Sequence, residues 1–316
     1  MEQVTGTNCY KIKNFIFVPV DKYIHMKYCS SGDTAKRWEV SERGVRNLCS
    51  KGKVDGAYLQ GKCWKIPEDA EKPASGAAKT NYLLQRLREE KRAGVSGGIY
   101  HRIQIDLTYN SNHIEGSRLT HEQTRYIFET HTIGGDAADT DDIIETMNHF
   151  RCIDMVISNA NRKLSEHFIC ELHRTLKTGT SDSRKPWFAV GAYKTLPNEV
   201  GGVETVSPAK TADAVSRLLE DWNARESVSF DDILEFHYQF ERIHPFQDGN
   251  GRVGRLIMFK ECLRHGIVPF IIDDREKMFY YRGLSEWKHT PGYLRDTCLL
   301  MQDRFKKLLA YFEIPF

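Results

Sequence analysis

Apolar residues recur at helical spacing along most of the chain. Between Phe230 and Ile243 they form one stripe, and between Arg252 and His265 they again lie on one side. The same spacing predicts helices over Leu164–Gly179, Ala209–Arg225 and Gly292–Phe312. Strand patterns are confined to two short segments. The sequence therefore predicts a mainly α-helical protein.

The first strand segment belongs to a pattern near the beginning of the chain. Residues 33–41 and 42–52 predict two helices joined by a tight turn, with Ser41 as the N-cap of the second helix. Residues 56–66 predict two short strands that turn around Gly61. This order predicts a helix-turn-helix followed by a wing-like hairpin.

The second strand segment, residues 191–203, is interrupted by Pro197, Gly201 and Gly202. Proline cannot donate to a strand ladder and glycine weakens one, so a short hairpin is expected here. An ordinary surface hairpin fits the same pattern.

Composition shifts divide the chain into four parts. Residues 1–25 show no clear pattern and are expected to be a disordered or non-native leader. Residues 26–72 hold the helix-turn-helix module, and residues 73–80, which include proline, serine and glycine, form a linker. Residues 81–316 form the larger helical domain.

Composition sets few limits on function. A chain of 316 residues with 40% hydrophobic content can bury a real core, and a net charge of +2 favours no class of partner. The eight cysteines form no Cys-x-x-Cys pair, which favours reduced thiols in a cytoplasmic protein. There is no recognisable signal peptide or transmembrane segment, so no membrane association is expected.

The segment from His244 to Arg255 carries most of the candidate chemistry. Pro245 ends the preceding helix, because a proline pushes the residue before it out of the α region. His244 has an ordinary pKa of about 6.5, so its neutral form can take a proton from a hydroxyl. Asp248 is a hard oxygen ligand of the type that holds Mg²⁺ together with phosphates.

The glycines and arginines of the same segment suit phosphate. Gly249 and Gly251 let backbone amides approach a ligand closely, and amides at a helix N-terminus favour anions. Arg252 and Arg255 are three residues apart and share a helix face, where each offers planar donors to phosphate oxygens. The combination indicates a site for a nucleoside triphosphate.

This segment resembles the signature of Fic proteins, His-x-Phe-x-Asp/Glu-Gly-Asn-Gly-Arg-x-x-Arg, and every fixed position is filled. Most Fic proteins transfer AMP from ATP to a hydroxyl of a target protein. The resemblance implies that His244 deprotonates the hydroxyl, Asp248 holds Mg²⁺ and Arg255 holds the γ-phosphate. It also implies a phosphate cradle made of Gly249, Asn250, Gly251 and Arg252. The related death-on-curing toxins, which transfer phosphate, have a lysine in place of Gly251.

A second motif lies upstream. Ser111-x-x-x-Glu115-Gly116 resembles the inhibitory motif of Fic proteins, Ser/Thr-x-x-x-Glu-Gly/Asn. The resemblance implies an inhibitory helix near residues 104–116, whose Glu115 pairs with Arg255 and prevents productive binding of the γ-phosphate. Without the resemblance, Glu115 is an acidic residue at a helix C-terminus, where it opposes the helix dipole.

Two further segments resemble parts of Fic proteins. The hairpin at residues 191–203 lies where these proteins carry a flap that aligns the target by strand addition. Residues 274–284 resemble the segment that lines the adenine pocket, with Tyr281 favoured over Tyr280 for stacking on the base. Lys288 stands where the family often has an asparagine near the purine, which is a departure from the pattern.

The N-terminal module is similar to winged helix-turn-helix domains of the excisionase and MerR type. This likeness implies that the second helix enters a major groove and that the hairpin contacts the DNA backbone. Arg43 and Arg46, on the exposed face of that helix, are the candidate DNA contacts. Modules of this kind also serve as protein-docking domains, and the sequence leaves both uses open.

The resulting expectation is a Fic helical core with a short β-hairpin flap, preceded by a small winged helix-turn-helix domain. It would be a protein adenylyltransferase that uses ATP and Mg²⁺, modifies a Tyr, Thr or Ser of a target protein and is autoinhibited by Glu115. A homodimer is a further expectation, since related proteins are often dimers. Hydrolytic removal of AMP would use the same residues. A DNA-binding regulator whose Fic half senses nucleotide is the other alternative, although such a sensor has no need of His244 as a base.

Overall fold

A computed structural model of the chain describes residues 27–50, 54, 56–72, 81–132 and 138–316. The chain divides into two compact units, Met1–Thr80 and Asn81–Phe316. The expected leader at residues 1–25 and the expected linker at residues 73–80 lie outside the described residues.

The first unit is a pair of helices packed against a small sheet. Its elements, in chain order, are β1 (Tyr28–Cys29), α1 (Ser31–Trp38), α2 (Glu42–Ser50), β2 (Tyr58–Gln60) and β3 (Cys63–Pro67). The strands are antiparallel, in the order β1-β3-β2. Trp38, Val45 and Ile66 lie in a core of its own. The two helices and the hairpin therefore occur where the sequence predicts them, and β1 adds a strand that the pattern does not indicate.

The second unit is a helical assembly with one short hairpin. Its helices are α3 (Tyr82–Ala93), α4 (Ile99–Ile114), α5 (His121–Thr130), α6 (Thr140–Asn159), α7 (Glu166–Lys177), α8 (Pro208–Asn223), α9 (Phe230–Ile243), α10 (Asn250–His265), α11 (Lys277–Ser285) and α12 (Gly292–Tyr311). The strands β4 (Glu199–Val200) and β5 (Val203–Glu204) pair antiparallel. The five helices predicted from apolar spacing begin and end within two residues of the observed ones, whereas the helix expected near residues 104–116 is Ile99–Ile114 and begins five residues earlier.

Helix α10 lies at the centre of this unit. It packs against α4, α6, α7 and α9, and thirteen of its residues are buried. The sequence pattern predicts a single apolar side, yet the other side is buried too, with Lys260 and Glu261 paired at 2.7 Å. A helix that is buried on all sides fixes its N-terminus rigidly, and that N-terminus carries the candidate site.

No helix in the described part of the chain is long and apolar enough to cross a membrane.

Candidate active site

The last turn of α9 places the ring of His244. The residue adopts a left-handed conformation with φ 51°, and its amide donates to the Phe240 carbonyl at 2.9 Å. The ring Nδ1 lies 3.3 Å from the backbone carbonyl of Glu241. When Nδ1 donates to that carbonyl, Nε2 is unprotonated and can act as a base.

Burial is the main influence on the pKa of His244. It lowers this pKa to about 4, and the nearby Lys194 ammonium group acts in the same direction. The imidazole is therefore neutral at pH 7. That is the protonation state required of a general base.

The loop after His244 is closed by Asn250. Its side-chain amide donates to the Phe246 carbonyl at 2.8 Å, and its side-chain oxygen accepts from the Phe246 amide at 2.8 Å. Phe246 is fully buried and stacks on His173 with ring centroids 4.0 Å apart. Because the Asn250 side chain is used within the loop, its contribution to a phosphate cradle comes from the backbone.

Gly249 makes the turn into α10. It has φ 81°, a conformation that favours glycine, and an added Cβ would meet Leu176 at 3.3 Å. The next amides open the helix and form the positive end of its dipole.

Asp248 lies beside two buried cations. Its Oδ2 accepts from Lys177 Nζ at 2.6 Å and from an Nη of Arg252 at 3.1 Å. Arg252 also pairs with Glu145. Burial acts to raise the pKa of Asp248, but the Arg252 and Lys177 cations hold it well below its usual range. The carboxylate is thus ionised, and 47% of the side chain is exposed to a ligand.

Glu115, at the C-terminal end of α4, places its carboxylate beside the buried Arg255. A terminal nitrogen of Arg255 donates to Glu115 Oε1 at 2.6 Å and to the Ser111 carbonyl at 2.9 Å. Its Nε donates to the Ser111 hydroxyl at 3.0 Å. A Cβ added to Gly251 would overlap with Glu115 Oε1. The carboxylate therefore lies directly over Gly251, where an anion bound at the start of α10 would also lie.

Gly116 follows this carboxylate with φ 104°, a conformation that favours glycine. It ends the turn that begins after α4.

Six of the twelve site residues predicted in the second unit line one cavity of about 510 Å³. Its wall includes Glu115, His244, Gly251, Arg255, Tyr280 and Tyr281. The other six, Ser111, Gly116, Asp248, Gly249, Asn250 and Arg252, are not among its lining residues. The structure thus brings together the predicted base, arginine, glutamate and aromatic residues.

The two tyrosines of α11 have different environments. Tyr280 is buried, and its hydroxyl lies 2.6 Å from Nε2 of His237. Tyr281 is 38% exposed, and its hydroxyl donates to the Ile114 carbonyl at 3.3 Å. Of the two, Tyr281 has the ring surface on which a base can stack. Lys288 is bound to Glu235 at 2.7 Å.

Lys194 attaches the hairpin of β4 and β5, the expected flap, to the loop that follows His244. The Lys194 amide donates to the Pro245 carbonyl at 2.9 Å. The buried Lys194 Nζ donates to Asn198 Oδ1 at 2.7 Å, to Thr205 Oγ1 at 2.6 Å and to the Ile243 carbonyl at 3.1 Å. Asn198 and Thr205 stand on either side of the hairpin, so one side chain holds both of its ends.

Three charged residues of the site are not indicated by the sequence pattern. Lys177 and Lys194 have the appearance of ordinary surface lysines. Glu241 lines the cavity, and burial raises its pKa to about 8. One of its carboxyl oxygens is 3.9 Å from His244 Nδ1. Lys177 contacts Asp248 and Lys194 contacts the Ile243 carbonyl across long stretches of sequence, so local spacing gives no signal for these two contacts.

Comparisons with known proteins show which family the second unit resembles. Residues 163–262 match the model of the Fic/DOC family. The second unit therefore contains a Fic domain, as the signature predicts. The mainly helical fold with its short hairpin is also confirmed.

Curated relatives carry the name protein adenylyltransferase Fic. The relative from Drosophila willistoni is 33% identical over 210 residues, which is 63% of this chain and 38% of the relative. The relative from Aedes aegypti is 28% identical over 217 residues, which is 67% of this chain and 40% of the relative. The chain thus spans about two fifths of the length of these relatives.

Solved structures show the same fold. A Fic domain-containing signalling protein from Bacteroides thetaiotaomicron is 25% identical with a TM-score of 0.59, over 72% of this chain and 94% of that chain. Fic-1 from C. elegans is 20% identical with a TM-score of 0.56, over 73% of this chain and 70% of that chain. The second likeness concerns the fold alone.

Proposed function

We propose that this protein transfers AMP from ATP to a Tyr, Thr or Ser hydroxyl of a target protein. The observation that carries the proposal is the cavity in which a neutral His244 faces the N-terminus of α10 and Arg255. A general base next to an anion-binding helix end suits attack of a hydroxyl on a phosphate. The names of the curated relatives support the same activity.

Each group has a defined part in this reaction. His244 Nε2 takes the proton of the target hydroxyl while the hydroxyl oxygen bonds to the α-phosphorus. The bond from that phosphorus to the β-phosphate oxygen breaks, and pyrophosphate leaves. The amides from Gly249 to Arg252 bind phosphate oxygens, and Arg255 binds the γ-phosphate. Tyr281 stacks on the adenine.

Asp248 fits a magnesium ion that is shared with the nucleotide. It is ionised and 47% exposed, and Mg²⁺ commonly binds to one or two carboxylates together with substrate phosphates. The described residues hold no group of three or more His, Cys, Asp or Glu side chains that could bind a metal ion by themselves. When bound, Mg²⁺ would neutralise phosphate charge.

Glu115 would keep the enzyme inactive. Its carboxylate accepts a hydrogen bond from the guanidinium of Arg255 and fills the space over Gly251. A γ-phosphate needs the same donors and would be repelled by the carboxylate. ATP would therefore bind in a pose that does not lead to transfer until Glu115 moves.

The test is incubation with α-labelled ATP and Mg²⁺. Wild type, Glu115→Gly and Glu115→Gly/His244→Ala are compared for label on the protein itself. We expect label on Glu115→Gly at more than ten times the wild-type level and background label on the double variant. Absence of label from all three samples, with ATP binding intact, would overturn the proposal and favour removal of AMP or nucleotide sensing.

We also propose that the first unit is a winged helix-turn-helix that binds duplex DNA. Arg43 and Arg46 are exposed on α2, and Arg43 forms no ion pair within the described residues. Arg46 forms an ion pair with Glu42 at 2.5 Å. On DNA binding, Arg46 would exchange this carboxylate for a phosphate. The hairpin of β2 and β3 supplies the wing.

We place the protein in the cytoplasm. All seven cysteines of the described residues are free thiols, which is typical of a reducing compartment.

A further inference from the structure

Lys177 is a buried lysine that ends α7 directly behind the candidate active site. Its side chain is 2% exposed, and its Nζ contacts three carboxylates. These are Asp248 at 2.6 Å, Glu145 at 2.5 Å and Asp182 at 3.1 Å. Burial of an unpaired charge is very unfavourable, and the three carboxylates compensate this cost for the Lys177 ammonium.

Both cations at Asp248 bind the same oxygen. Lys177 and Arg252 donate to Oδ2, and neither donates to Oδ1. The two contacts fix the rotation of the carboxylate while nearly half of the side chain stays exposed. Lys177 thereby sets the direction from which Asp248 can approach a metal ion.

The same contacts alter the affinity for a metal ion. A divalent cation at Asp248 would lie close to both Lys177 and Arg252, and like charges at such distances repel strongly in a partly buried site. A nucleotide triphosphate brings several negative charges, which offset this repulsion. A free ion brings none.

We propose that Lys177 is a positioning residue that holds Asp248 for a metal–nucleotide complex and prevents binding of a free divalent cation. The inference rests on the proposed function, because it assigns Asp248 to a metal that enters with ATP.

The test measures binding of Mn²⁺ to the full chain without nucleotide, by electron paramagnetic resonance of the free ion. Lys177→Met leaves Asp248, Glu145 and Asp182 without the ammonium, so we expect its Kd for Mn²⁺ to be at least tenfold lower than that of the wild type. Lys177→Arg, which keeps the charge, should bind as weakly as the wild type. Lys177→Met/Asp248→Asn should lose the gain.

Lys185→Met is the matched control. Lys185 donates to Asp182 at 2.6 Å but does not contact Asp248, and its side chain is 46% exposed. We expect its variant to keep the wild-type Kd. An equal gain in Lys185→Met would show that general charge, not the position of Lys177, controls metal binding, and would overturn the proposal. Unchanged affinity in Lys177→Met would overturn it too.

Folding is checked by circular dichroism on each variant. If Lys177→Met does not fold, Lys177→Gln is used with the same expectation, because the amide can still donate to a carboxylate. No nucleotide or target is present in these titrations. A negative result for AMP transfer would therefore leave the metal result standing, and the reverse is also true.

Discussion

At the scale of single residues, the position of His244 at the end of α9 determines its protonation state. The left-handed conformation that ends α9 turns the ring beneath the cavity, and Pro245 prevents the helix from continuing. The ring is 18% exposed, so the charged imidazolium is poorly solvated. The same local geometry thus supplies both the position of the base and its low pKa.

This low pKa predicts the pH dependence of transfer. A base with a lowered pKa stays neutral as pH falls, so activity should be lost only as pH approaches about 4. Lys194 acts to lower the pKa of His244, whereas Glu115 and Asp248 act to raise it. Glu241 is largely protonated below about pH 8 and adds little charge under those conditions. Replacement of Glu115 should therefore lower the pKa of His244 further.

The measurement is kcat/KM of Glu115→Gly between pH 5 and pH 8, because this ratio reports pKa values of the free enzyme, with Glu115→Gly/His244→Ala as the background. We expect a change of less than about twofold between pH 7.5 and pH 5.5, whereas a base with an ordinary pKa of about 6.5 would lose about tenfold. A midpoint near pH 6.5 would contradict the structural environment of His244.

The sequence identifies those residues of the candidate site that lie close together within a short motif. Residues 244–255 give the base, the glycines and the arginines within one loop and one helix. Lys177 is 71 positions from Asp248, and Arg255 is 140 positions from Glu115. The second pair was predicted because both ends lie in motifs. The first pair has a motif at one end, so local spacing could not reveal it.

At the scale of elements, α10 shows what periodicity detects and what it misses. Its apolar residues predict one buried side, but Lys260 and Glu261 neutralise each other inside the protein. Glu261 also accepts from the Trp222 indole at 2.8 Å. A pattern of residue types cannot distinguish a buried ion pair from two solvated charges, so periodicity alone does not reveal that Lys260 and Glu261 are buried. Helix limits are predicted better, since caps and prolines act locally.

The order of the flap depends in part on Lys194, and Asn198 adds a second contact by donating to the Phe246 carbonyl at 3.0 Å. Lys194→Met removes three side-chain hydrogen bonds that join the hairpin to the end of α9. Each partner left unsatisfied costs about 1–3 kcal/mol. We expect amides of residues 199–204 to exchange hydrogen at least tenfold faster, while exchange within α9 and α10 stays close to the wild-type rate.

Hydrogen exchange with mass spectrometry checks this prediction. Lys210→Met, at an exposed lysine of α8 shortly after the flap, is the control and should leave exchange of the hairpin unchanged. Equal exchange in Lys194→Met and the wild type would mean that β4 and β5 are held without the Lys194 contacts.

At the scale of the whole molecule, two separate cores define two separate units. The core around Trp38, Val45 and Ile66 shares no residue with the core of the helical unit. The net charge of +2 conceals this division, because it sums units with different compositions. The two-unit organisation was predicted from the composition of residues 73–80, which include proline, serine and glycine, whereas the partner of each unit depends on exposed side chains.

DNA binding by the first unit predicts a salt dependence that the Fic half should not influence. If Arg43 and Arg46 contact phosphates, the affinity of the full chain for duplex DNA should fall steeply between about 50 and 200 mM salt. Arg43→Ala and Arg46→Ala should each weaken binding and lower the slope of log affinity against log salt by about 1. The loss should be the same for different DNA sequences, since phosphate contacts carry no sequence information.

Fluorescence anisotropy with labelled duplex at several salt concentrations gives these slopes. Arg92→Ala, which removes an exposed arginine from the second unit, is the matched control for charge, and His244→Ala is the control for the Fic site. Both should keep the wild-type slope. A slope lowered equally by Arg92→Ala would place the contacts outside α2. Absence of binding at low salt would remove DNA as the partner and leave protein docking as the role of the first unit.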